Sequence, residues 1–278
     1  LLYVISYWIL ATAFTQFYKI ATKTLTKAGA LTVLLEFMAG IIILVLCPFF
    51  EMKFPTDIRV YISLGFAIIF YAITDRLNTT VRKEIEASTF SILKQISTVF
   101  MIVAGILFFK EPFLWNKIVG ALLIVFSNIL IFYKKGKFKF DKYVLLGVLS
   151  NLSFSIAMFL DVSISDNFNL PIYVAITLIV PAILIFIFDR IKISEIKEEL
   201  INGNKKAMII TSVTWGLSIF SQLRAYQLGN VTTVAPLCAL TVILNVLVGY
   251  LFLKEKDSLW KKIIAAILII VSVILIKI

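Results

Sequence analysis

The sequence predicts an all-α integral membrane protein, in which ten transmembrane helices form two inverted five-helix repeats. Three observations carry that expectation. Apolar residues make up 61% of the 278-residue chain and charged residues 15%, with a mean hydropathy of +1.02, well outside the range of a soluble domain. Apolar runs recur at the length a helix needs to cross roughly 30 Å of hydrocarbon at 1.5 Å per residue. Finally, one line is written twice: FFKEPFLWNKIVGALLIVFSNILI (108–131) returns as FLKEKDSLWKKIIAAILIIVSVILI (252–276).

The first apolar run, about 1–19, starts at Leu1 with no basic lead and no small-residue cleavage site, and reads as the edge of a helix rather than a signal peptide. Further runs follow at about 30–50, 58–80, 87–109 and 114–133, then at 143–163, 171–188, 206–225, 231–253 and 259–277. A transmembrane barrel would alternate apolar and polar residues in segments of about ten. Stretches such as GIIILVLCPFF (40–50) are apolar on every side, which selects helices.

Lys and Arg outnumber Asp and Glu by 27 to 16, a net charge of +11. The excess sits mainly in short loops, KKGKFKFDK (134–142) and RIKISEIKEELINGNKK (190–206). Loop charge of this kind marks membrane topology, so no nucleic-acid partner is expected. The chain has no His, no Cys pair at metal spacing and no Gly-rich phosphate loop, which leaves imidazole and metal chemistry few residues to use. No enzyme activity, metal or cofactor is expected. Cys47 and Cys238 read as apolar fillers inside two spans.

Aligned on Lys-Glu, and then on Leu-Trp with one inserted residue, the repeated lines keep Gly105 with Gly249, Lys110 with Lys254, and Glu111 with Glu255. They also keep Trp115 with Trp260, Lys117 with Lys262 and Ser127 with Ser272. Apolar composition alone would produce matches of Leu and Ile but would not align these rarer types. Upstream, EASTFSILKQIS (86–97) lies over NVTTVAPLCALT (230–241). The halves are therefore 1–135 and 140–278, with the basic loop as the seam. Five spans is an odd number, so the second half enters the membrane from the opposite face. Inverted repeats of this kind flank a midplane site in transporters and rock to expose it alternately. Glu111 and Glu255, in tight turns followed by Trp, are expected to be structural and to cap the next helix.

At these residues the sequence resembles the ten-helix EamA-type members of the drug/metabolite transporter superfamily. The resemblance covers nearly the whole chain and is strongest at 84–133 and 225–276. It rests on helices that start with small residues (Glu86-Ala87-Ser88 and Val231-Thr232-Thr233), run to Lys110-Glu111 and Lys254-Glu255, and pass into a Gly/Ala-rich helix. It implies two EamA-like repeats and transport of a small solute. The chain departs from the family where Ser97-Thr98 and Thr241-Val242 replace the usual Pro, and where Glu36 stands near a common Arg.

An ionisable group at bilayer depth costs about 2.5–3.5 kcal/mol on insertion scales, so such groups should face protein or water and line a pathway. In the first half they are Glu36, Asp75, Arg76 and Lys94, with Gln95 beside them. Glu36, Asp75 and Lys94 all lie roughly 8–10 Å inside the same face at 1.5 Å per residue, so they can meet. They form either a polar layer that binds substrate, with Glu36 or Asp75 taking a coupling proton, or an ion-pair clamp between helices. Asp75 and Arg76 are adjacent and cannot point the same way. In the second half, Gln222 and Arg224 lie near the end of the eighth span, where Arg224 either attracts an anion or snorkels. Asn245 lies within the ninth span and is either a ligand or an interhelical hydrogen bond. Pro236 either frees a carbonyl or sits in a tolerated first turn. Among the 24 Phe, 10 Tyr and 4 Trp, Trp8, Tyr18, Tyr71, Trp215 and Tyr226 are the aromatic candidates for a cavity.

The expected function is secondary active transport of a small polar metabolite, an amino acid or related compound, by alternating access. The alternative is a channel-like or structural membrane subunit that transports nothing. The expected partners are a small-molecule substrate, a coupling proton and membrane lipid. The expected setting is a prokaryotic plasma (inner) membrane, as a monomer or homodimer. Loops after odd-numbered spans hold about 20 of the 27 Lys and Arg, which puts both termini outside by the positive-inside rule. The family resemblance implies both termini inside.

Overall fold

In the computed structural model, the described residues are 1–24, 26–134, 137–138, 141–255 and 259–277. The expected boundaries of the seam, at 135 and 140, lie outside them. The first half contains α1 (Leu2–Ala21), α2 (Ala28–Ile43, continued as a 3-10 turn to Phe49), α3 (Ile58–Glu84), α4 (Ala87–Leu93), α5 (Gln95–Leu107) and α6 (Trp115–Phe132). Two short strands, β1 (Tyr133–Lys134) and β2 (Lys137–Phe138), pair antiparallel between the halves. The second half contains α7 (Lys142–Ile164), α8 (Leu170–Phe188), α9 (Ile193–Asn202), α10 (Lys205–Gln227), α11 (Val231–Ala239), α12 (Thr241–Phe252) and α13 (Leu259–Lys277). Four helices start on a short polar side chain that accepts a backbone N–H, as N-caps do: Asp57 from Arg59, Asp141 from Tyr143, Asn169 from Ile172 and Asn204 from Ala207.

Among the described residues, six helical segments are long and apolar enough to cross a membrane: 28–49, 58–84, 87–107, 142–167, 170–188 and 231–252. The expected ten helices become thirteen among the described residues, for two reasons. The runs at 87–107 and 231–252 each break, at Lys94 and at Leu240. The stretch expected as a basic loop also holds α9, an amphipathic helix whose Glu195 accepts the backbone N–H of Lys192 at 2.8 Å.

The breaks need no Pro at the position where the family usually has one. Ser97 Oγ donates to the Lys94 carbonyl at 2.6 Å, and Thr241 Oγ1 donates to the Cys238 carbonyl at 2.9 Å. A hydroxyl that bonds a carbonyl one turn back competes with the helical N–H and bends the helix. At the second break Trp8 Nε1 donates to the Leu237 carbonyl at 2.7 Å. Pro236 lies past the first turn of α11, inside the helix.

The helices pair in a pattern that survives exchange of the halves. α1 packs on α10 as α7 packs on α3, while α2 packs on α8, α6 on α13, and α4 and α5 on α12 and α11. Glu111 and Glu255 stand at the two ends of this pattern. Each follows a Lys with positive φ, 55° at Lys110 and 57° at Lys254, and each N–H returns at 3.1 Å to a glycine carbonyl, Gly105 or Gly249. The carboxylates do not cap the next helix, as expected, but a helix of the other half. Glu255 accepts from Ala87 N at 2.7 Å, Ser88 N at 3.0 Å and Ser88 Oγ, at the start of α4. Glu111 accepts from Val231 N at 2.7 Å, Thr232 N at 3.0 Å and Thr232 Oγ1, at the start of α11. A carboxylate is favoured there because it meets unpaired N–H groups at the positive end of the helix dipole. The glycines make room: a Cβ on Gly249 would lie 2.7 Å from the Glu255 carboxylate, and one on Gly105 would lie 2.7 Å from the Thr232 methyl.

Candidate functional site

Asp75, Asn78 and Arg82 stand at i, i+3 and i+7 on α3, so they share one face. That face lines a small cavity of about 40 Å³ between the halves. Tyr7 and Phe14 of α1, Phe90 of α4, Phe154 of α7, and Trp215 and Gln222 of α10 supply other walls. A second cavity of about 20 Å³ adjoins it and adds Gln95, Tyr226 and Cys238. Lys94, Tyr7, Phe154 and Gln222 line both. Lys94 stands there because the helix breaks at its own position. Its ammonium donates to the Tyr7 hydroxyl at 3.2 Å and lies 4.9 Å from the centre of the Phe154 ring.

The charges in this region differ in how they are satisfied. Glu36 is fully buried, and its carboxyl meets that of Asp75. Arg82 is 3% exposed. Its guanidinium carbon sits 4.1 Å from the centre of the Phe90 ring, 4.9 Å from that of Tyr18 and 5.0 Å from that of Phe14, while Nε and Nη1 have no hydrogen-bond partner among the described residues. Asp161 of α7 is fully buried but satisfied, accepting from Tyr71 at 2.5 Å and Tyr173 at 2.7 Å.

An internal cavity bounded by both halves and charged on its walls is the arrangement a solute pathway needs, and the sequence matches a family built for one. The profile of the EamA-like transporter family matches residues 1–133 and 141–278. The chain belongs to that family. This EamA-like transporter is therefore an integral membrane protein of the drug/metabolite transporter type. One solved structure, titled only as the crystal structure of a protein, is similar to it in fold, with a TM-score of 0.66 at 13% identity, covering 99% of this chain and 96% of its own. No curated protein matches the chain.

Of the residues singled out in the sequence, this EamA-like chain brings Asp75, Lys94, Gln95 and Gln222 to the cavity walls, with Glu36 directly behind Asp75. Three others are elsewhere. Arg76, one step round the helix from Asp75, pairs with Asp189 and donates to Thr80 at 2.9 Å; it borders an apolar surface groove instead. Arg224 turns along its own helix to Gln227 at 2.9 Å. Asn245 is an interhelical link, accepting from Gln16 at 3.1 Å and donating to the Thr241 carbonyl at 3.0 Å. Of the aromatic candidates, Tyr71, Trp215 and Tyr226 reach a cavity. Tyr18 packs on Trp215 at 5.4 Å and Trp8 serves the helix break. The sequence reading missed Arg82, Asn78, Tyr7 and Asp161. Asn78 and Arg82 were legible only by continuing the helical stripe that begins at Asp75.

Proposed function

We propose that the protein is a secondary active transporter that moves a small polar metabolite, an amino acid or a related compound, by alternating access. In this reading the ten apolar runs are ten membrane crossings, the halves 1–135 and 140–278 are inverted repeats, and the cavity between them is the occluded pathway. The observation that carries it is Lys94, a half-buried cation placed at a helix break where two cavities meet. Glu36 and Asp75 hold the coupling proton: two carboxyls that adjoin out of water cannot both carry charge cheaply. The setting is a prokaryotic plasma membrane, as a monomer or homodimer, with no catalytic step and no cofactor.

The test is counterflow in proteoliposomes. Uptake that saturates, and that is accelerated by unlabelled substrate on the far side, supports alternating access. Flux that rises linearly with concentration makes the protein a channel, and absence of flux for every solute tried makes it a structural subunit. A Lys94→Ala protein that binds and transports as the parent does would remove Lys94 from the site.

A further inference from the structure

We infer that the cavity holds its substrate by a carboxylate placed against the Arg82 guanidinium, and that the substrate is an organic monoanion with an apolar or aromatic body. The inference rests on the transport reading above and gives the substrate its chemical class. Buried N–H groups in proteins are almost always hydrogen-bonded, and one left unpaired calls for a partner the structure lacks. Arg82 leaves two nitrogens unpaired, is 3% exposed and forms part of the cavity wall. Guanidinium cannot discard its proton to escape burial, so it keeps its charge and its donors for an acceptor. Phe14, Tyr18 and Phe90 hold the cation by their ring faces without using any donor.

The sign and number of charges follow from the walls. Arg82 and Lys94 are the two cations among the lining residues and Asp75 the single acid; Glu36 and Asp161 stand behind the wall, and Asp161 is already met by Tyr71 and Tyr173. One positive charge is left over, which a monoanion neutralises and a dianion overshoots. The rest of the substrate meets Tyr7, Phe90, Phe154 and Trp215, which is why its body is apolar. Gln222, on the wall of both cavities, is the neutral polar group available to a second substituent.

The experiment compares acids with their own amides on the wild-type protein in detergent. Benzoate, 3-phenylpropionate, indole-3-acetate and short aliphatic acids are each set against the corresponding primary amide, with phenylethylamine as the cationic control, at about 10 mM. A ligand of the folded state raises the melting temperature through mass action. At least one acid should raise it by about 2–4 °C while its amide does not, and Arg82→Gln should abolish that shift. Lys94→Gln should weaken the same acid about tenfold. If no acid stabilises the protein, if an amide or amine does so equally, or if Arg82→Gln keeps the shift, the inference is overturned. Should Arg82→Gln not fold, the acid and amide contrast on the wild type decides alone. Counterflow separates the two readings: saturable exchange of amines but not acids leaves the transporter and removes this site, whereas acids that bind without exchanging leave the site and remove the transporter.

Discussion

Ser97 and Thr241 make the same bond at the same place in the two halves, each returning its hydroxyl to a carbonyl three residues back. The residue that owns that carbonyl is Lys94 in the first half and Cys238 in the second, and both side chains line the smaller cavity. Everything that builds the frame is duplicated: the broken helix, the left-handed Lys, the glycine and the carboxylate that reaches across. The charge is not duplicated. Asp75, Arg82 and Lys94 all come from the first half, whereas Phe154, Trp215, Gln222 and Cys238 come from the second. A duplicated chain can keep its architecture symmetric and still make its pathway one-sided, because hydrogen bonds to backbone fix the frame and leave cavity side chains free to diverge.

The symmetric part of the comparison is broken most strongly at the crossing carboxylates. Glu255→Ala strands two backbone N–H groups and a hydroxyl at a buried helix start, and should cost about 3 kcal/mol. Glu111→Ala should cost the same within about 0.5 kcal/mol, since its three bonds match; thermal melts showing one loss without the other would end the equivalence. Gly249→Ala should cost about 1–2 kcal/mol by pushing against the Glu255 carboxylate. In the Glu255→Ala background that cost should largely vanish, because contacting sites are not additive.

The asymmetric part is sharpened by a pair of substitutions at equivalent positions. Lys94→Ala should lower counterflow exchange about tenfold, a loss of roughly 1.4 kcal/mol, while Cys238→Ala stays within about twofold. Equal losses would mean that cavity shape matters and the ammonium does not. The smallest effect lies at the surface. The Lys27 ammonium bonds Glu195 at 2.6 Å and holds its carboxyl below the ordinary 4.5. A lowered folded-state value contributes stability above pH 4.5 that is lost as pH falls through the folded value. Glu195→Gln should flatten that acid-side loss in melts taken across the range, and an unchanged slope would show that the pair contributes nothing.

Rare residues repeat in register along the chain where apolar ones carry no information, and the family profile matches it in two stretches, 1–133 and 141–278. Run length makes six of the spans legible among the described residues. The partners of Glu111 and Glu255 are not: spacing says that a carboxylate sits in a turn, but the helix starts at Ala87 and Val231 come close only through the packed fold. The break at Lys94 is hidden because no Pro marks it, and Ser97 reads as an ordinary helical residue. Arg82 is hidden for another reason: it lies two residues past the expected end of its span, where a basic residue is explained by topology. The helix runs on to Glu84 and carries Arg82 inward. Arg76 misleads in the opposite sense, since depth along a helix does not say which side faces the cavity.

The reciprocity of Glu111 and Glu255 also bears on how such a chain arose. A half-length ancestor would carry one such carboxylate and one uncapped helix, and could not bring the two together within itself. Two such halves complete each other, each carboxylate supplying the cap that a helix of the other half lacks. Either half taken alone would leave a helix start bare that its partner now covers.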